Sequence, residues 1–157
     1  MSQPPPNNPI EIYVDADACP VKAEIYRVAE RYGLTVHVVT NTPIGVPRDP
    51  RIRLALVGDG FDAADDWIAE RAGKTDIVIT ADIPLADRCL KSGATVIGPT
   101  GKPFTMSSIG GAMASRALMA DLRAMGVATG GPKPLTQRDK SAFLSALDNA
   151  VVAIHRR

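Results

Sequence analysis

The sequence predicts an α/β fold of three layers, a mostly parallel sheet of about five strands with helices on both faces. Three observations lead there. Short apolar runs rich in Val and Ile alternate, over residues 10–98, with stretches whose apolar residues recur at helical spacing. One of these runs, "DIVIT" (76–80), has no polar residue between its ends, which suits a strand buried on both faces as in parallel sheets. At 157 residues and 45% hydrophobic, the chain is long enough for one domain with one substantial core.

Residues 1–9, "MSQPPPNNP", have neither a basic start nor a hydrophobic stretch, so they read as a disordered tail rather than a secretory signal, and the domain runs over 10–157. "IEIYV" (10–14) is the first strand. Pro20 then stands at a helix start, Val21, Ile25, Val28, Ala29 and Tyr32 follow at helical spacing, and Gly33 stops the run. "LTVHVVT" (34–40) and "RIRLALV" (51–57) are the next strands. "DGFDAADDWIAERAG" (59–73) is a helix with acids in its first turns and Ala64, Ile68 and Ala72 on one face. "DIVIT" is the fourth strand, "PLADRCLKSG" a short helix, and "ATVIG" (94–98) the fifth strand. Beyond it, Ile109, Met113, Met119 and Leu122 fall on a further helix, weakened by Gly110 and Gly111. The last helix opens on Thr136 and Asp139, at the spacing of a capping box, and carries a Phe143, Leu147, Val151, Ile154 stripe.

Composition excludes several classes. No apolar run approaches the roughly 20 residues of a membrane span. The two cysteines, Cys19 and Cys89, are too few for a disulfide scaffold or for structural zinc on their own, so a cytoplasmic protein is expected. A homo-oligomer is left open. The net charge of +1 points to no partner, but its distribution is uneven: residues 1–87 hold 14 acids and 8 bases, residues 88–157 only 3 acids and 10 bases. That split reads either as an acidic site beside a basic surface or as two solvated faces that neutralise each other.

The acids explain why the first strand ends on "VDADACP". Ligands of a parallel sheet bind outside the carboxyl ends of its strands. The first strand ends at Asp15 and Asp17, the second at Asn41, the third at Asp59, and the fourth at Thr80 and Asp82. Asp62, Asp65 and Asp66 stand three and four residues apart on the helix that follows the third strand, near the same edge. Burying one ionised carboxylate costs several kcal/mol unless offset, and close pairs repel. Each acid alone is explained by a helix cap or the helix dipole. Caps do not account for two acids at the exit of one strand, so the gathering favours a shared cation. Hard oxygen donors with few histidines suit Mg2+ or Mn2+ rather than zinc. Cys19, before a helix start but among aspartates and without a histidine partner (His37 and His155 lie elsewhere), reads as a packed residue, and Cys89 as core. Trp67 is next to the acids and reads as core ahead of a base-stacking platform.

The segments "VDADACPVK", "VVTN", "DAADDWI", "DIVITADIPLADRCL" and "RDKSAFLSALD" together resemble the YaiI/YqxD family of uncharacterised bacterial proteins, over roughly residues 10–150. The resemblance implies a branch of the PIN-like nuclease fold, in which an acid ending the first strand, an acid on a helix and an acid after the fourth strand hold divalent cations. Matched residue by residue, these are Asp15, Asp65 (with Asp62 and Asp66 nearby) and Asp82, supported by Asp17, Asn41 and Thr80. In "FTMSSI", Ser108 stands where the family pattern has an asparagine. "YVDADA" and "VGDGFDAADD" also look like the first and the late magnesium motifs of haloacid-dehalogenase-type phosphatases, which would make Asp15 a nucleophile. Those enzymes carry their threonine and lysine motifs between the two, whereas Thr80 follows "GDG" and residues 18–57 offer only Lys22 early on. A metal-free binding module is a third reading. The expectation is therefore a Mg2+- or Mn2+-dependent nuclease acting on RNA or another nucleic acid. Asp15, Asp65 and Asp82 would be its catalytic acids, and Asp17 and Asp62 further metal ligands. Arg116, Arg123, Lys133, Arg138 and Lys140 would grip phosphates.

Overall fold

The computed structural model describes residues 9–17, 19–60, 62–126 and 134–157. Six strands form one sheet in the order β3-β2-β1-β4-β5-β6. They are β1 (Glu11–Asp15), β2 (Thr35–Thr40), β3 (Ile52–Leu56), β4 (Ile77–Ile79), β5 (Thr95–Ile97) and β6 (Pro103–Phe104). All neighbours are parallel except β5 and β6. The helices are α1 (Lys22–Tyr32), α2 (Ala63–Arg71), α3 (Ile83–Lys91), α4 (Met106–Ala124) and α5 (Gln137–His155). Among the described residues, no helix is long and apolar enough to cross a membrane. The expected tail falls almost wholly on residues 1–8, outside the described residues.

Strand alternation divides the core in two. Ile12 and Val14 of β1, with Val36, Val38, Ile77 and Ile79, pack beneath α1 and α5. Tyr13, Val39, Val78 and Val96 face the opposite way, beneath α2, α3 and the start of α4. All three residues of β4 are buried, as its unbroken apolar run predicts. Asp148 of α5 accepts from Arg31 Nη1 at 2.8 Å and from the Tyr32 hydroxyl at 2.9 Å, tying α5 to the end of α1. Gly33 closes α1 in the left-handed region, with φ +66°, where its N–H reaches carbonyls of the last turn.

Three features go beyond the sequence expectation. Parallel strands are usually joined through a helix, yet residues 41–51 link β2 to β3 as an extended loop, because Pro43, Pro47 and Pro50 deny a helix its N–H donors. Ile44 and Val46 of this loop pack on the core where a helix face would have been. The sixth strand, too short to show a period, runs antiparallel on the outer edge of β5. The expected helix forms as α4, and of its four apolar residues Ile109 is buried, Leu122 half-buried, and Met113 and Met119 exposed. Leu118 and Met125 are 58% and 76% exposed, so apolar side chains occupy several faces of this helix without cover in the single chain.

The turn between β5 and β6 docks against the start of α5. Gly101 has φ +90°, and a Cβ there would lie 3.0 Å from the Ala142 carbonyl oxygen and 3.1 Å from Phe143 Cα. Gly111, within α4, has open space at its Cβ position. Gly101→Ala is expected to cost about 2–4 kcal/mol through backbone strain and overlap. Gly111→Ala should gain about 1 kcal/mol of helix propensity. Melting temperatures should move in opposite directions, by about 2–4 °C per kcal/mol. A Gly101→Ala protein as stable as wild type would contradict the docking of this turn on α5.

Candidate functional site: a carboxylate cavity at the carboxyl edge

The strand order makes β1 the turning point of the sheet, since the chain builds outward from it to β2 and β3 on one side and to β4 and β5 on the other. A crevice opens where the order reverses, above the carboxyl ends of β1 and β4. There the structure has a cavity of about 330 Å³ whose polar lining includes Asp15, Asp17, Asn41, Asp65, Thr80 and Asp82. Cys19, Gly60, Ala64, Ile79, Ala81 and Pro99 also line it, and among the described residues no lysine, arginine or histidine does.

Each carboxylate reaches this point for a local reason. Asp15 ends β1, and its Oδ2 accepts from the buried Thr80 hydroxyl at 2.9 Å. Asp17 follows one residue beyond the strand, and its Oδ1 accepts from the Thr40 hydroxyl at 3.1 Å. Asp82 caps α3, with Leu85 N donating to its Oδ1 at 3.0 Å, so the cap expectation and the cavity expectation both hold for this residue. Spacing alone left three acids of α2 equivalent, and the structure separates them. Asp66 is paired with Arg88 at 2.8 Å, Asp62 precedes the helix without a side-chain cap bond, and Asp65 lines the cavity. Asp59 is exposed and does not line it.

Electrostatics follow from the crowding. Burial raises the pKa of Asp15, with further upward contributions from the Asp82 and Asp17 charges, while the Thr80 hydrogen bond acts in the opposite direction. Asp65 is pushed up to about 6, first by burial and then by the charges of Asp82, Asp15 and Asp62. Burial also raises the Cys19 thiol, so this cysteine is a packed, protonated residue. Cys89 is on the buried face of α3, where burial pushes its thiol up to about 11. Trp67 stacks loosely with Tyr13 and His37 and carries Arg71 at 4.0 Å over its ring, away from the cavity lining.

The donor set fits a hard divalent cation. Four carboxylates from three chain segments share one cavity, and among the described residues no basic side chain lines it. Among the described residues no three acidic, histidine or cysteine side chains already converge on a single point. That is compatible with Mg2+, which commonly takes one or two carboxylates and keeps several waters. Asp15, Asp17, Asp65 and Asp82 are the residues that would hold it.

The expected phosphate-gripping bases are not gathered into one face. Arg116 and Arg123 lie on α4, whereas Arg138 and Lys140 lie on α5, across the sheet, and Lys133 falls outside the described residues. Neither Arg138 nor Lys140 lines the cavity; the contact nearest them is that of Ala142 and Phe143 of α5 with Gly101, in the turn that follows Pro99 of the cavity wall. One residue that supports the cavity without lining it escaped the sequence reading. Thr40 is 1% exposed and holds Asp17 from behind; its position at the end of β2, matching Thr80 after β4, was the available signal. Ser108 completes a capping box with Thr105 at the head of α4.

Asp65 gives a test of this crowding. Its folded pKa of about 6 lies above the ordinary value of 3.8, so its contribution to stability is fully present below 3.8 and lost as pH rises through 6. At pH 7.5 in a chelator, Asp65→Asn should melt above wild type by about 2–6 °C, corresponding to roughly 1–2 kcal/mol after discounting for solvent screening. The gap should close as pH falls towards 4. A variant less stable than wild type at pH 7.5 would mean that Asp65 makes a stabilising contact.

Comparison with known proteins agrees over nearly the whole chain. The family model described as "Uncharacterized BCR, YaiI/YqxD family" matches residues 13–153. A UPF0178 protein of Nitrobacter winogradskyi is 66% identical over 147 residues, covering 94% of this chain and 94% of its own. One from Azorhizobium caulinodans is 63% identical over 148 residues, covering 94% and 93%. Another, from Rhodopseudomonas palustris strain BisB5, is 57% identical over 157 residues, covering 100% and 94%. No solved structure matches the chain. With an acidic cavity built from "VDAD", "DAADD" and "TADIP", and with a family model spanning it from β1 to α5, the chain belongs to the YaiI/YqxD family.

Proposed function

We propose that this chain is a PIN-like, Mg2+- or Mn2+-dependent nuclease that hydrolyses phosphodiesters of RNA or another nucleic acid. The observation that carries the reading is the unneutralised carboxylate cavity at the point where the sheet order reverses. Two-cation sites of this chemistry supply an activated water and neutralise charge on the leaving oxygen. The chain's own residues do the holding. Asp15, Asp17, Asp65 and Asp82 provide the oxygens, Thr80 orients Asp15, and Asn41 offers an uncharged polar group on the cavity wall. Arg138 and Lys140, in the first turn of α5, would position a polyanion without entering the cavity. A cytoplasmic setting, with nucleic acid as partner, belongs to this reading.

The phosphatase reading shares Asp15 but lacks a companion, since among the described residues no lysine lines the cavity. The test compares wild type with Asp15→Asn on labelled single-stranded RNA and on an aryl phosphate, with Mn2+ or with a chelator. Wild type should cut RNA only with Mn2+, and Asp15→Asn should lose about 100-fold or more of that activity. Hydrolysis of the aryl phosphate through a phosphorylated Asp15 would overturn the nuclease reading in favour of the phosphatase. Metal binding with neither substrate hydrolysed would leave a binding module.

A further inference from the structure

Two buried threonines flank β1 in the same way. Thr40 ends β2, Thr80 follows β4, and each is 1% exposed. Each Oγ1 accepts from the N–H two residues on, Thr42 N at 3.0 Å and Asp82 N at 2.9 Å. Each hydroxyl then reaches a carboxylate at the exit of β1: Thr40 to Asp17 Oδ1 at 3.1 Å, Thr80 to Asp15 Oδ2 at 2.9 Å. The Thr42 carbonyl oxygen, also 3.1 Å from Thr40 Oγ1, is the competing acceptor. A hydroxyl has a single proton to give, and an ionised carboxylate draws it more strongly than a neutral carbonyl.

We infer that Thr40 is a positioning residue of the acidic cavity, the counterpart of Thr80, and that together they favour a small octahedral cation over Ca2+. The inference rests on the metal reading of the cavity proposed above. Asp17 Oδ1 and Asp15 Oδ2 are already engaged by the threonines, which leaves Asp17 Oδ2 and Asp15 Oδ1 as the open oxygens. Ca2+ takes about 6–8 oxygens at roughly 2.3–2.6 Å and readily accepts a carboxylate through both of its oxygens. Mg2+ demands six ligands at roughly 2.0–2.1 Å and is served by single carboxylate oxygens and water. A carboxylate held by one oxygen is therefore matched to the smaller ion. Asp17 needs the restraint most, since it is exposed and lies beyond the end of the strand.

The test measures Mn2+ affinity by electron paramagnetic resonance, and Ca2+ affinity by displacement of that Mn2+, for wild type, Thr40→Val and Thr40→Ser. Valine keeps the shape and removes the hydroxyl; serine keeps the hydroxyl. Thr40→Val should weaken Mn2+ binding by about 10-fold, as loss of a ligand-orienting partner commonly does, while Ca2+ binding changes much less. Thr40→Ser should retain the wild-type preference. If the valine variant does not fold, Thr40→Ala makes the same comparison. Unchanged Mn2+ affinity without the hydroxyl, or equal losses for both cations, would overturn the inference while leaving the metal reading intact. A wild-type protein that binds no Mn2+ would instead defeat the metal reading, and this inference with it.

Discussion

β1 is paired on both edges and buried on both faces, so the chain that leaves it emerges into the middle of the sheet's carboxyl edge rather than at its side. Of the two carboxylates at that exit, Asp15 is half-buried and held by Thr80, and the exposed Asp17 is tied back by Thr40. They meet Asp82, which caps α3 from the neighbouring β4, and Asp65, which α2 brings in from the third crossover. The negative charge is thus imposed by topology, and the neighbourhood answers it with hydroxyls and backbone N–H groups rather than with arginine or lysine. Arg88, the base closest to serving that purpose, is taken up by Asp66.

An arrangement of this kind is unfavourable to the empty protein and favourable to one holding a cation. Crowding raises the proton affinity of Asp65 and Asp15, as expected where carboxylates are partly desolvated and repel one another. Functional sites are where such strain is retained, because a fold selected only for stability would replace one of the acids with an amide. The same reasoning makes the two strand-end threonines more than fillers. A valine would pack as well beside the strand, but only a hydroxyl can take an N–H and pass its proton to the carboxylate in front of it.

Much of this was legible in the residues. Alternating apolar runs and helical stripes specified the α/β class, and the rule that ligands gather at carboxyl ends placed Asp15, Asp17, Thr80 and Asp82 together. Thr136 and Asp139 form the capping box that their spacing implied. What spacing could not resolve was which acid of α2 enters the cavity, since residues three and four apart share a helical face; the partner that decides it, Arg88, lies 22 residues away in sequence. The two-residue β6 was too short to carry a period, and the proline-bearing loop between β2 and β3 replaced the helix that usually joins parallel strands. On α4, apolar residues occupy several faces, so their spacing did not say which would be covered, and among the described residues of the helix Ile109 is the buried one.

The most direct measurement is anomalous diffraction from crystals soaked in Mn2+. A Mn2+ peak in the cavity between β1 and β4, with an oxygen of Asp15 and at least one oxygen of Asp17, Asp65 or Asp82 at roughly 2.0–2.3 Å, is the result expected for hard oxygen ligands. An ordered cavity holding only water at millimolar Mn2+, with Asp15 still bound to Thr80 alone, would contradict the claim that these carboxylates exist to hold a cation.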